Sequence, residues 1–141
     1  MKSLKTPLRY PGGKSRACTK LDQFIPDLRD YTEYREPFLG GGAVMFDLLT
    51  KEPNLKCNVS DLNSDLVLSY VTIRDRLEKL IESLENHSKN YHKDSTGYYY
   101  EVRSQEPKNQ IEKVSRLLFL NKTCFNGLYR VNSKGKFNVP L

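Results

Sequence analysis

The chain has 141 residues, of which 38% are apolar and 28% charged, and a formal net charge of +6. That is enough for one modest core with an ordinary soluble surface. No apolar run reaches the length of a bilayer span and no signal-peptide core is found at the N-terminus, so a cytoplasmic protein without a membrane partner is expected.

Cys18, Cys57 and Cys124 are odd in number and lack metal-ligand or redox spacing, which fits a reducing compartment and no metal. The charge is unevenly placed. Residues 1–86 hold 13 basic and 13 acidic side chains, whereas residues 87–141 hold 10 and 4. From Lys122 onward there are four basic residues and no acid, interleaved with Phe125, Asn126, Tyr129 and Asn132. Cations suit phosphates and planar groups suit bases, so this segment reads equally as a nucleic-acid contact or as a solvated basic hairpin.

Residues 4–14 contain two prolines and two glycines and predict an ordered loop, with Tyr10 and Lys14 flanking Gly12 and Gly13. A P-loop is excluded because Leu8 stands where its first glycine belongs. Ser15 is a candidate N-cap for a helix over 16–25, which Pro26 ends. Residues 34–39 predict a strand running into Gly40, Gly41 and Gly42, then a helix from Ala43 to about Lys51. Such a turn lets backbone approach a nucleotide-like ligand and presents free helix N–H groups to it. It is not a dinucleotide fingerprint, since Met45 occupies the position of the third glycine.

A second strand, Lys56 to Ser60, leads to Asp61, about twenty residues after the glycine turn. A carboxylate there suits ribose hydroxyls or caps the next helix, and the sequence favours neither. Leu66, Tyr70, Ile73, Leu77, Leu80 and Leu84 step by four and three and predict one amphipathic helix. A polar connection over 86–96, with His87 and His92 solvated, precedes a short helix around Tyr98–Tyr100. Another helix runs from Ile111 to about Asn121. Two short strands around a turn at 133–136 close the sequence.

Taken together, four blocks stand in order: Tyr10-Pro11-Gly12-Gly13-Lys14, Glu36-Pro37-Phe38-Leu39-Gly40-Gly41-Gly42, Ser60-Asp61-Leu62-Asn63, and Phe125-Asn126-Gly127-Leu128-Tyr129-Arg130 with Gly135 and Phe137-Asn138-Val139-Pro140. In these the chain resembles the Dam-like DNA adenine methyltransferases, including those of restriction-modification systems, from about residue 4 to its end. The resemblance implies an α/β chain: a partial Rossmann-like S-adenosylmethionine-dependent methyltransferase fold with a helical target-recognition insert ending in a β-hairpin. Residues 1–65 would be the cofactor-binding part and 66–141 the recognition region.

By the same resemblance Tyr10, Lys14, Phe38, Gly40, Gly42 and Asp61 hold S-adenosylmethionine. Phe125, Asn126, Leu128, Arg130 and Lys134 contact double-stranded DNA, and the recognition segment is similar to that of enzymes acting on GATC. The family's Asp-Pro-Pro-Tyr motif, which receives the flipped adenine, does not occur between residues 1 and 141. No catalytic residue is therefore assigned, and the expectation is the N-terminal portion of a longer or split enzyme, with a second polypeptide as a partner that supplies the catalytic half. A non-catalytic fragment that binds DNA or S-adenosylmethionine is the alternative.

Overall fold

The computed structural model describes residues 3–141. Their contacts divide the chain into two compact units, one running to Asn63 and the other from Ser64 to Leu141.

In the first unit the expected helix over 16–25 is cut short. α1 spans Cys18–Leu21 and passes into a 3-10 turn, Asp22–Phe24, and Ala17 rather than Ser15 precedes it without a side-chain cap. A second 3-10 turn, Leu28–Asp30, starts at Asp27, whose carboxylate accepts the Arg29 N–H. β1 is Glu33–Glu36 and β2 is Lys56–Val59, paired in parallel with Tyr34 opposite Cys57 and Glu36 opposite Val59. β1 ends before Pro37, which has no N–H to give the ladder. Beyond the proline, the Leu39 N–H still donates to Ser60 O at 3.0 Å, so the two chains stay together past the strand ends. α2, Ala43–Lys51, connects the strands and buries Ala43, Met45 and Leu48. Its N-cap is Gly42 at φ 69°, a left-handed conformation that glycine adopts without a Cβ clash.

The second unit is helical. The amphipathic stretch expected as one helix is two, α3 (Ser64–Asp75) and α4 (Leu77–Lys93), separated by Arg76 at φ −141°. α4 also absorbs most of the predicted polar connection. Its inner face continues through Leu80, Ser83, His87 and Tyr91, whose spacing keeps them on one side. α5 (Ser95–Ser104) and α6 (Gln110–Thr123) each begin with a side-chain cap, Asp94 accepting the Gly97 N–H and Asn109 accepting the Glu112 N–H. These caps explain why the helices start there, each contributing about 1 kcal/mol.

α6 is the centre of this unit, in contact with α3, α4 and α5. Tyr99, Val102, Phe119, Leu120, Phe137 and Val139 form its core, with Tyr91 and Tyr98 packed against them. His87 is not solvated as expected. Its ring stacks on Phe119 at 4.9 Å, its Nδ1 lies 2.8 Å from the Tyr98 hydroxyl, and burial pushes its pKa down. Arg116 is half-buried too, and its guanidinium donates to Val102 O, which also accepts the Gln105 N–H, and to Arg103 O, so it caps carbonyls in the last turn of α5.

The terminal hairpin is not built as two strands. After α6 a 3-10 turn covers Phe125–Gly127, and a single antiparallel bridge joins Val131 to Phe137. Asn132 closes the loop between them, its Oδ1 accepting the Lys134 and Lys136 N–H groups at 2.9 and 3.0 Å. The segment is held instead by burial of Phe137 and Val139, and by Val139 O, which accepts the Tyr99 hydroxyl at 2.9 Å and Arg103 at 3.1 Å.

Candidate functional site

Tyr10, Lys14, Phe38, Gly40, Gly42 and Asp61, drawn from three separated stretches of sequence, line one cavity of about 400 Å³ in the first unit. Its floor is the glycine turn. Gly40 sits at φ 51° with the Tyr10 ring close against it, so a side chain there would meet Tyr10 Cδ1 at 3.5 Å. A Cβ on Gly41 would stand 3.5 Å from Leu8 O and from Tyr10 Cβ. The early loop and the glycine turn therefore lie within van der Waals contact of each other, and at Gly40 it is the positive φ that favours glycine.

Asp61 ties the wall together. Its Oδ2 accepts the Gly40 N–H at 2.8 Å and its Oδ1 accepts the Asn63 N–H at 2.9 Å. Asn63 in turn donates from Nδ2 to the Tyr10 hydroxyl at 3.3 Å. The carboxylate thus connects all three stretches. Each of its oxygens retains acceptor capacity beyond the backbone bond it makes. The Lys14 ammonium donates to Gly12 O at 2.9 Å within its own loop. Phe38 lines the same cavity with its ring 86% exposed, an apolar surface presented at the rim rather than packed inside.

Among the lining residues to which the sequence assigns no role is a charged one. Glu36, at the end of β1, lies in the cavity wall, and its Oε2 is buried with no hydrogen-bond partner among the described residues. In the sequence it stands in the strand over 34–39, immediately before the Pro-Phe and glycine stretch, and carries no role of its own.

In the second unit the residues expected on DNA all lie after α6. Phe125 is 56% exposed, Leu128 and Val131 are also exposed, and Asn126 takes the left-handed conformation at φ 53° that turns the chain between them. Arg130 is braced: Nε donates to Asn138 Oδ1 at 2.8 Å and one terminal nitrogen donates to Asn138 O at 3.2 Å. Two of its five N–H donors are used there, which fixes the direction of the guanidinium plane. Lys134 is exposed at the loop tip, while Lys136 pairs with Glu106. Tyr129 donates to Asp65 Oδ2 at 2.8 Å, tying the base of the segment to α3. The result is a basic, partly apolar tip on a buried base.

Comparison with known proteins bears on both regions. A family profile described as D12 class N6 adenine-specific DNA methyltransferase matches residues 10–141. A type II methyltransferase, M.MjaIII of Methanocaldococcus jannaschii, is 39% identical over 97% of this chain and 52% of its own length. The type II methyltransferase M1.LlaDCHI of Lactococcus lactis is 36% identical over 98% of the chain and 48% of its own. The DNA adenine methylase of Haemophilus influenzae is 31% identical over 95% and 46%. The chain thus spans about half the length of these relatives.

Proposed function

Because the chain belongs to the D12 class of N6 adenine-specific DNA methyltransferases, we propose that its two units are the S-adenosylmethionine cradle and the DNA-reading region of such an enzyme. The observation that carries the reading is the single cavity shared by Tyr10, Lys14, Phe38, Gly40, Gly42 and Asp61. Its donor set fits the cofactor: glycines that admit close backbone approach, carboxylate acceptors for hydroxyls, and a flanking aromatic face. When bound, S-adenosylmethionine supplies an electrophilic methyl group on a sulfonium centre.

In this reading the residues of the chain bind and orient. The first turn of α2, opened by Gly42, directs N–H groups at the cofactor's carboxylate. Asp61 accepts the ribose hydroxyls while its two backbone bonds keep the turn in place. The strand, glycine turn, helix and second strand form the start of a Rossmann-like sheet. In the second unit Phe125 enters the base stack, Leu128 and Arg130 meet base edges, and Lys134 meets phosphate, with GATC in double-stranded DNA as the proposed site. Acceptors for the adenine amine, which the reaction requires, come in this reading from an Asp-Pro-Pro-Tyr motif outside residues 1–141.

Calorimetry with S-adenosylmethionine tests the reading. Heat of binding with the wild-type chain, lost in Asp61→Ala, is the expected result. No heat with the wild-type chain overturns it. Methyl transfer to a GATC duplex is expected only when a polypeptide carrying the Asp-Pro-Pro-Tyr half is present, and robust transfer by the chain alone contradicts that part.

A further inference from the structure

The second unit holds a cavity of its own, of about 230 Å³, between α3, α6 and the terminal segment. Leu68, Val114, Leu117 and Phe137 give it an apolar wall, and Lys113 and Arg116, one turn apart on α6, give it two cations. Arg116 is half-buried, and burial pushes its pKa down against the nearby Asp65 and Glu106, which pull it up. The guanidinium stays charged all the same. Its Nε and one terminal nitrogen donate to Val102 O and Arg103 O, so one side of the fork is occupied. The remaining three of its five N–H groups meet no acceptor among the described residues, and they are not sealed from solvent. Neither Arg116 nor Lys113 forms an ion pair among the described residues. The acid in the wall, Asp65, accepts the Tyr129 hydroxyl on Oδ2 at 2.8 Å. Two cations against one carboxylate leave the wall with an excess of one positive charge.

We propose that this cavity binds a singly charged oxyanion carried on a small apolar body, an organic carboxylate being the class that fits. A half-buried cation without a counter-ion is unfavourable, and an arriving oxyanion offsets its desolvation. The open end of a guanidinium fork matches two oxygens of one carboxylate, and a single negative charge balances the wall. Leu68 and Phe137 then cover the apolar body, the usual division of labour in a small-molecule site. Val131 and Gly135 also line the cavity, so an occupant touches the segment that carries Arg130 and Lys134. The site lies in the second unit and does not depend on the S-adenosylmethionine reading of the first.

Three probes test it: benzoate, benzyl alcohol, which has the same ring and no charge, and dimethyl phosphate, which has the charge of a nucleic-acid backbone. Each is titrated at constant ionic strength into the full chain, isotope-labelled for NMR. Benzoate is expected to shift the amide signals of Leu68, Val131 and Gly135 and the Arg116 Nε–H signal, and to leave Gly40 and Asp61 in place. Arg116→Gln is expected to weaken benzoate by about ten-fold or more, the range of a charge-assisted hydrogen bond. Lys113→Gln, an exposed change, is expected to weaken it by about two- to five-fold. No shifts with benzoate, equal affinity for benzyl alcohol, or unchanged affinity in a folded Arg116→Gln overturns the proposal. Tighter binding of dimethyl phosphate than of benzoate overturns the ligand class and assigns the two cations to a sugar-phosphate backbone. Should Arg116→Gln fail to fold, Lys113→Gln decides, and benzoate affinity equal to the wild type's overturns the proposal.

Discussion

Replacing Asp61 by asparagine should weaken the cavity wall before any ligand is added. The carboxylate accepts Gly40 N–H at 2.8 Å and Asn63 N–H at 2.9 Å, one on each oxygen. An asparagine keeps one acceptor and turns an NH2 group toward the other backbone donor, so one charge-assisted bond is lost and the second becomes neutral. A hydrogen bond to a charged group contributes about 1.5–3 kcal/mol, and the group is only half-buried, so a local loss of about 1–2 kcal/mol is expected. At about 1.4 kcal/mol per factor of ten, that corresponds to roughly five- to thirty-fold faster amide exchange at one of the two N–H groups. Hydrogen exchange read residue by residue on wild type and Asp61→Asn measures it. Unchanged protection at both Gly40 and Asn63 would refute the view that this side chain pins the glycine turn. S-adenosylmethionine affinity should fall in the same variant, since the proposed ribose acceptor loses its charge.

Other perturbations address the remaining features. Gly42→Ala places a Cβ at φ 69° and should cost about 1–2 kcal/mol, read as a lower unfolding midpoint. His87 is held neutral by burial, with its pKa below the usual 6.5. The unfolded chain therefore binds a proton that the folded one does not. Stability should be unaffected above pH 6.5 and fall as pH drops through the lowered folded value, and His87→Phe should flatten that fall in thermal unfolding measured against pH. Arg130→Ala should cost about 1–3 kcal/mol on the preferred duplex and relax base preference, whereas Lys134→Ala should weaken all duplexes alike. Equal loss on preferred and random DNA for Arg130→Ala would remove its base-reading role.

Much of the first unit is readable from residues alone, because its determinants are local. Proline at 37, three glycines, an apolar helix and a carboxylate after the next strand each constrain the backbone where they stand. What escaped there was α1, where the apolar positions Cys18, Leu21 and Ile25 suggested a longer helix than the chain forms. In the second unit one error comes from leaving His87 and Tyr91 in the polar connection over 86–96. Counting His87 and Tyr91 with Leu80 and Leu84 extends the stripe of α4 to its true end at Lys93. The break at Arg76 left no comparable mark, since Ile73, Leu77 and Leu80 keep helical spacing across it. The terminal segment misled because its alternation of apolar and polar residues is that of a strand pair. Burial of Phe137 and Val139 against α5 and α6, a contact distant in sequence, fixes it instead.

The way that terminal segment is fastened bears on how such a chain diversifies. Tyr99 and Arg103 grip Val139 through its main-chain oxygen, and the Phe125 N–H holds Pro140 O at 2.8 Å. A peptide carbonyl is the same whatever side chain it bears, so this anchorage does not depend on the residues displayed at the far end. Exposed side chains such as Leu128 and Lys134 make no part of that grip, so in the proposed DNA-reading role they can be exchanged without unseating the segment's base.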